Sequence, residues 1–293
     1  MVVRRALLAL TSLAASVALA AGALASTSAG AAPAPAPTVP QERLTVAGDC
    51  ATVGRGPAVG SIRLAAGPTA AGGSIARART SNLVGTAWVG SLYLGSRGGS
   101  PSIDELSEPR RHRPVRGGFT DVARIGSRWP VMAMATYLNR RGHICQGLVA
   151  RAGAGVAGLS SGAMVWVRGE LRRLVVVPMT YDLSDTTQRT LRITARVTTP
   201  RGVQTRTQLG RYDPVAMTGF RFEGFRDVRS FTRVAVRVKD LRGRELGRVV
   251  LTRTPLRTSG RTAAGSTGEH LSVADVRALV RAAHTAHDRA VQP

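Results

Sequence analysis

A period-two alternation of apolar and polar side chains in the second half of the chain is the strongest constraint on its fold. Residues 191–198 read LRITARVT, which places the leucine, isoleucine, alanine and valine on one face of an extended strand. Val234, Val236 and Val238 repeat the pattern, and about seven such segments, separated by turn residues, fall within residues 163–257. This spacing predicts an immunoglobulin-like β-sandwich over residues 163–257, without the cysteine pair of antibody domains.

Residues 42–159 contain shorter strand candidates that glycines interrupt. The clearest is the apolar run 131–139, followed by the turn Arg140-Arg141-Gly142-His143 and the return segment 144–150, an order typical of a β-hairpin. We therefore predict a small glycine-rich β domain over residues 42–159, ahead of the sandwich. The protein as a whole is predicted to be mainly β.

The chain has two cysteines, Cys50 and Cys145. They do not form a C-x-x-C motif and no cluster of metal-ligand residues accompanies them, so we predict a disulfide rather than a redox or metal site. A bond between them staples the start of the 42–159 domain to its last hairpin. Closing a loop of this length is worth about 4 to 5 kcal/mol on the chain-entropy model.

The N-terminus has the layout of a secretory signal. Arg4 and Arg5 precede a charge-free run over residues 6–25, which ends in the small-residue sequence Ala23-Leu24-Ala25. A second cleavage sequence, Ala29-Gly30-Ala31, follows it. We predict a signal peptide over residues 1–31 and therefore a secreted, extracellular or cell-envelope protein.

Two alternatives accompany the signal. The apolar run is long enough for a permanent membrane anchor, and the arginine pair also occurs in twin-arginine export signals. The Ala/Pro sequence of residues 32–41 is typical of an extended, semi-rigid linker between the leader and the first domain.

The composition is strongly basic, with 41 basic and 17 acidic residues and a net charge of +24. Lys239 is the single lysine, so a GC-rich coding sequence explains part of this excess. Such a charge attracts polyanions over long range, more weakly at high salt. Outside a cell, the expected partners are anionic cell-wall polymers or a membrane surface; export makes specific nucleic-acid binding unexpected.

One basic run stands out as a candidate anion-binding segment. Prolines keep it extended and two glycines follow it, although a solvated loop has the same composition. The candidate residues are Arg110, Arg111, Arg113 and Arg116.

The C-terminal region is predicted to be a linker over residues 258–270 and an amphipathic helix over residues 271–293. Ser272 is the N-cap, and an apolar stripe follows at helical spacing. The stripe suits docking on a domain, binding a protein partner, or a frayed helix. Its residues are Val276, Leu279, Val280 and Ala283.

Three motifs resemble sites of chemistry but lack the expected context. Residues 153–158 match G-x-G-x-x-G without a following helix, and we interpret them as an interdomain linker. Residues 158–162 match G-x-S-x-G around Ser160, without the strand-to-helix turn of a nucleophile elbow. His284, His287 and Asp288 share a helical face on a solvated tail. We predict no catalytic residue, cofactor or metal.

The segment from Trp129 through Tyr137, Arg140-Arg141-Gly142 and Cys145 to Arg151 resembles a hairpin of uncharacterised secreted and envelope proteins of actinobacteria. That resemblance implies an extracellular address and no activity. The sequence as a whole predicts an exported, non-catalytic module that binds an anionic wall polymer or a protein partner. The alternatives are a secreted serine hydrolase using Ser160 and an adhesion or sensing module acting through its C-terminal helix.

Overall fold

A computed structural model describes residues 42–52, 59–69, 73–83, 87–95, 105–106, 110–113, 118–125, 132–139, 141, 143–152, 155–169, 171–178, 188–213 and 218–255. These residues form two antiparallel sheets, which confirms the mainly β prediction. The predicted signal, both linkers and the C-terminal helix lie outside the described residues. Within the described part of the chain, no helix is long and apolar enough to cross a membrane.

The first sheet has eight strands. They are β1 (Glu42–Asp49), β3 (Ser61–Pro68), β4 (Ser74–Ser81), β8 (Thr120–Ile125), β14 (Arg189–Thr199), β15 (Gly202–Tyr212), β17 (Arg233–Asp240) and β18 (Glu245–Pro255). Their order in the sheet is β15-β14-β17-β18-β1-β3-β4-β8.

The second sheet has ten strands. They are β2 (Ala51–Thr52), β5 (Trp88–Gly95), β6 (Glu105–Leu106), β7 (Arg110–His112), β9 (Met132–Asn139), β10 (His143–Ala152), β11 (Gly155–Ser160), β12 (Ala163–Arg168), β13 (Arg173–Pro178) and β16 (Phe220–Phe222). Their order is β16-β13-β12-β11-β10-β9-β5-β6, with β2 paired to β10 and β7 paired to β5. A 3₁₀ turn, Val228–Ser230, lies between β16 and β17.

Each of the two sheets contains strands from both predicted domains, residues 42–159 and 163–257. Residues 163–257 contribute β14, β15, β17 and β18 to one sheet and β12, β13 and β16 to the other, consistent with a sandwich. Strand β18 also pairs with β1 over residues 42–48, and β12 pairs with β11. Backbone hydrogen bonding therefore continues across the predicted boundary, which falls inside the β11–β12 hairpin.

The core lies between the sheets and follows the predicted alternation. Leu191, Ile193, Ala195 and Val197 of β14 are fully buried, whereas Arg192 and Arg196 between them point outward and are exposed. Burying a leucine or isoleucine side chain contributes about 1.5 to 3 kcal/mol, and this fixes the register of the strand because a one-residue slip would expose the whole set.

The chain crosses from one sheet to the other at Cys50, directly after β1 and before β2. Cys50 is bonded to Cys145 of β10, with the two Cα atoms 4.3 Å apart and 95 positions between them in sequence. The predicted disulfide is confirmed. It joins the first strand of one sheet to the β9–β10 hairpin of the other, and that hairpin also has the predicted turn position.

Strand β15 lies at the edge of the eight-stranded sheet and is mostly polar. Three of its side chains close one side of the sandwich through hydrogen bonds to backbone carbonyls of β16 and the segment that follows it. Gln204 Nε2 donates to the carbonyl of Arg226 at 2.8 Å, and Arg206 Nη2 donates to the carbonyl of Gly224 at 2.8 Å. Gln208 Nε2 donates to the carbonyl of Arg221 at 3.0 Å. These bonds hold the 221–226 segment in place.

Candidate anion-binding cleft

An arginine-lined cleft of about 510 Å³ lies at one end of the sandwich. Three connections meet there: the β12–β13 turn, the β14–β15 turn and the segment between β16 and β17. The lining residues are Gly169, Arg172, Arg201, Arg226, Asp227, Val228 and Arg229.

Local backbone features hold the first two arginines. Arg172 has a φ of 49°, in the left-handed region, and its N–H donates to the Gly169 carbonyl at 3.2 Å. The Arg201 N–H donates to Thr199 Oγ1 at 3.2 Å in a turn that Gly202, with φ 123°, completes. Both turns are therefore defined by hydrogen bonds and backbone conformation, independently of any ligand.

The third connection is held from two sides. Gln204 accepts the N–H of Arg226 and donates to its carbonyl, each at 2.8 Å. Asp227 follows with φ 54°, and the Val228 side chain beside it is completely buried. This anchoring keeps Arg226 and Arg229 at the cleft while their side chains stay exposed.

The electrostatics of the cleft favour an anion. Its single lining carboxylate, Asp227, pairs with Arg201 at 3.1 Å. Within the described residues, no carboxylate pairs with the guanidinium of Arg172, Arg226 or Arg229. Guanidinium groups bind phosphate and carboxylate in bidentate geometry, so a bound anion would offset the repulsion among the arginines.

A buried ion cluster lies next to the cleft and joins the two sheets. Glu42 of β1 is 2% exposed and receives hydrogen bonds from Arg151 of β10 and Arg253 of β18. Arg253 Nη1 also donates to the Arg229 carbonyl at 2.7 Å. Burial lowers the pKa of Arg151, the Glu42 carboxylate opposes this shift, and Arg253 adds to it.

The predicted basic segment lies away from the cleft, and its first three residues form a strand. Arg110 and Arg111 belong to β7, which pairs with β5; Arg111 and Arg113 are exposed, and Arg116 lies outside the described residues. Of the three described arginines, none lines the cleft. The segment carries exposed cations, but part of it is a strand rather than a loop.

His112 anchors this basic strand. Its Nε2 lies 3.0 Å from Asp121 Oδ2, and its ring stacks on Phe119 with the centroids 3.9 Å apart. The Tyr137 hydroxyl donates to the same Asp121 oxygen at 2.9 Å. The histidine and the carboxylate therefore serve to fix β7 against β8 and β9.

Ser160 does not occupy a nucleophile elbow. It ends β11, is completely buried, and donates to the Arg248 carbonyl at 2.9 Å; β12 begins three residues later. The preceding glycine motif is also mostly strand, because β11 begins at Gly155, which corrects its interpretation as a linker.

The described residues contain no group of three or more His, Cys, Asp and Glu side chains able to hold a metal ion. His284, His287 and Asp288 lie outside the described residues, so their arrangement stays a prediction.

Sequence reasoning missed the cleft because its arginines are scattered. Each sits at or beside a turn signal, such as Pro200-Arg201-Gly202 or the residues following Gly169. An arginine beside a predicted turn is the sequence signal that could have pointed to the site, since turns carry ligand contacts disproportionately often. The sequence does not show which turns share an end of the sandwich.

No protein-family model matches the chain. No curated protein matches it. A solved structure described as pT26-6p is similar over 72% of this chain at 6% identity, with a TM-score of 0.18. The match covers 65% of that chain, so this protein spans just under two thirds of its length. A likeness this weak supports no statement about fold or function.

Proposed function

We propose that this protein is an exported, non-catalytic module of the extracellular space or cell envelope that binds an anionic wall polymer. The arginine-lined cleft carries the proposal. Four guanidinium groups surround it against one carboxylate, and that carboxylate is already paired. A phosphate group has the charge and geometry that these donors bind.

The structure of the cleft supports a binding role because its arginines are held there by the fold. Turn hydrogen bonds, the Gln204 contacts to Arg226 and the buried Val228 fix the backbone on which they stand. Like charges brought together without a partner destabilise the folded protein. A ligand that stabilises the assembled cluster explains the arrangement.

The disulfide supports export. Disulfides form and persist in oxidising compartments outside the cytosol, and Cys50 and Cys145 meet across the two sheets. Mass spectrometry of the secreted protein would test this part: we expect an N-terminus following Ala25 or Ala31 and no free thiol. An intact precursor with two thiols in the cytosol would contradict export.

Titration with a short glycerol phosphate oligomer tests the cleft. Arg226→Gln and Arg229→Gln each remove one positive charge from the cleft. Either substitution should weaken oligomer binding about tenfold or more, because a charge-assisted hydrogen bond contributes about 1.5 to 3 kcal/mol. Affinity should also fall between roughly 50 mM and 200 mM salt.

Arg221→Gln is the matched control, since Arg221 is exposed on the outer face of the ten-stranded sheet and does not line the cleft. It should bind like the unmodified protein. Equal weakening in Arg221→Gln, or no binding by the unmodified protein, would overturn the cleft as the site. Preferential binding to anionic lipid vesicles would move the ligand from a wall polymer to a membrane.

A further inference from the structure

The outer face of the eight-stranded sheet is a second basic surface, separate from the cleft. In β3, β4 and β8, inward alanine, leucine and isoleucine side chains alternate with outward arginines. The outward residues Arg63, Arg77, Arg79 and Arg124 are all exposed. We call these four residues the β3–β4–β8 patch.

Two arginines of this patch lie directly opposite one another. Arg63 of β3 is the register partner of Arg79 of β4, and Arg77 is two positions along the same strand. Like charges directly across a pair of strands are destabilising. Within the described residues, no carboxylate pairs with Arg63, Arg77 or Arg79.

The face continues across β1 into a second basic group on β14, β17 and β18. Arg237 and Arg248 are also register partners there, but each has a carboxylate neighbour. Arg248 contacts Asp49 at 3.1 Å and Arg237 contacts Glu245 at 4.0 Å. Arg63 and Arg79 therefore face each other across two strands with no acidic partner among the described residues, unlike the Arg237–Arg248 pair.

The outward residues between the two groups are mostly small, with one further exposed cation, Arg43 of β1, and this favours a polymer over a bilayer as the ligand. None of the outward side chains on the described strands of this sheet is aromatic, and its exposed large apolar side chains, Val122, Val203 and Leu209, lie on the two edge strands instead of forming one apolar patch. Proteins that bind membrane interfaces insert aromatic or long apolar side chains. A chain of regularly spaced phosphates needs only cations within reach.

We infer that the β3–β4–β8 patch binds a linear phosphate-bearing polyanion, with phosphates on the paired guanidiniums of Arg63 and Arg79. Facing Cα atoms on paired strands lie about 4.5 to 5.5 Å apart, and residues two positions apart on a strand lie roughly 7 Å apart. Neighbouring phosphates of an extended chain fit this grid. This inference rests on the proposed binding of an anionic wall polymer and adds a second contact surface for the same polymer, outside the cleft.

Arg79→Glu distinguishes a ligand-binding patch from a merely basic surface. The substitution creates an opposite-charge pair with Arg63, so the ligand-free protein should melt about 2 °C higher. The same change should weaken binding of long poly(glycerol phosphate) about tenfold at low salt. The double variant Arg63→Glu with Arg79→Glu places two like charges opposite each other again. It should bind the polymer more weakly than Arg79→Glu and melt at a lower temperature than Arg79→Glu.

Arg221→Glu controls for net charge, because it makes the same charge change on the opposite sheet. This substitution should weaken polymer binding less than threefold. If Arg79→Glu and Arg221→Glu weaken binding equally, or if Arg79→Glu lowers the melting temperature, the inference is wrong.

The short glycerol phosphate oligomer separates this inference from the cleft. Arg79→Glu should bind it normally, whereas Arg229→Gln should not. If Arg79→Glu loses polymer binding and no form of the protein binds the short oligomer, the patch is supported as a polymer-binding surface and the cleft is rejected as a site.

Discussion

Glu42 shows how one residue connects the two sheets to the candidate site. Its carboxylate is almost completely buried and bonds Arg151 of one sheet and Arg253 of the other. Arg253 in turn bonds the Arg229 carbonyl at the cleft. Two partly buried guanidiniums are tolerated there because both bind the carboxylate.

Glu42→Gln is therefore expected to destabilise the protein by about 3 to 5 kcal/mol, because it removes a buried carboxylate and leaves two partly buried cations without their counter-ion. Urea unfolding at neutral pH measures the change. Glu223→Gln is the matched control: Glu223 pairs with Arg173 at 2.9 Å but is 60% exposed, and such surface pairs contribute about 0 to 1 kcal/mol. A similar loss in both variants would reject the buried cluster as a source of stability.

At the scale of elements, the edge strand β15 does more than end a sheet. Polar side chains on its inward face donate to the backbone carbonyls of Arg221, Gly224 and Arg226. This use of glutamine and arginine closes the sandwich edge and places Arg226 at the cleft. The position of Arg226 at the cleft thus depends on Gln204, which does not itself line the cleft.

Gln204→Ala should weaken short-oligomer binding about threefold and cost about 1 to 2 kcal/mol of stability, since it removes two backbone hydrogen bonds to Arg226. Isothermal titration and thermal melting measure the two effects. Thr205→Ala, on the outward face of the same strand, is the control and should change neither. Unchanged oligomer affinity in Gln204→Ala would show that the cleft does not need this support.

For the whole molecule, the important feature is that both sheets run through the two halves of the sequence. Strand β1 pairs with β18, so strands from the two ends of the described chain lie side by side. Pairings this distant in sequence carry a large loop-closure cost during folding. The disulfide reduces that cost by linking β1 to the β9–β10 hairpin.

Replacing both Cys50 and Cys145 with Ala should lower the free energy of unfolding by about 4 to 5 kcal/mol on the chain-entropy model. The unmodified protein in reducing agent should lose the same amount, because the effect belongs to the cross-link and not to the sulfur atoms. Denaturant titration of both samples tests this. A double variant as stable as the oxidised protein would contradict it.

The sequence alone determined the local features of this fold. Alternation identified the strand through Ile193 and its outward arginines, the turn at Gly142 identified a hairpin, and the presence of two cysteines identified their bond. The strand and the hairpin depend on residues close in sequence, and the disulfide depends on the two cysteines of the chain. Side-chain period and turn chemistry are local properties, so they can be deduced without knowing the partner strands.

Only the tertiary structure decided how those strands share two sheets and which arginines meet. Strand β1 of the first predicted domain pairs with β18 of the second, and the packing of three separate turns brought Arg172, Arg201 and Arg229 to one cleft. Strand order is selected by hydrogen bonding and burial between segments far apart in sequence. An arginine in a turn has the same local pattern whether it faces solvent or three other arginines.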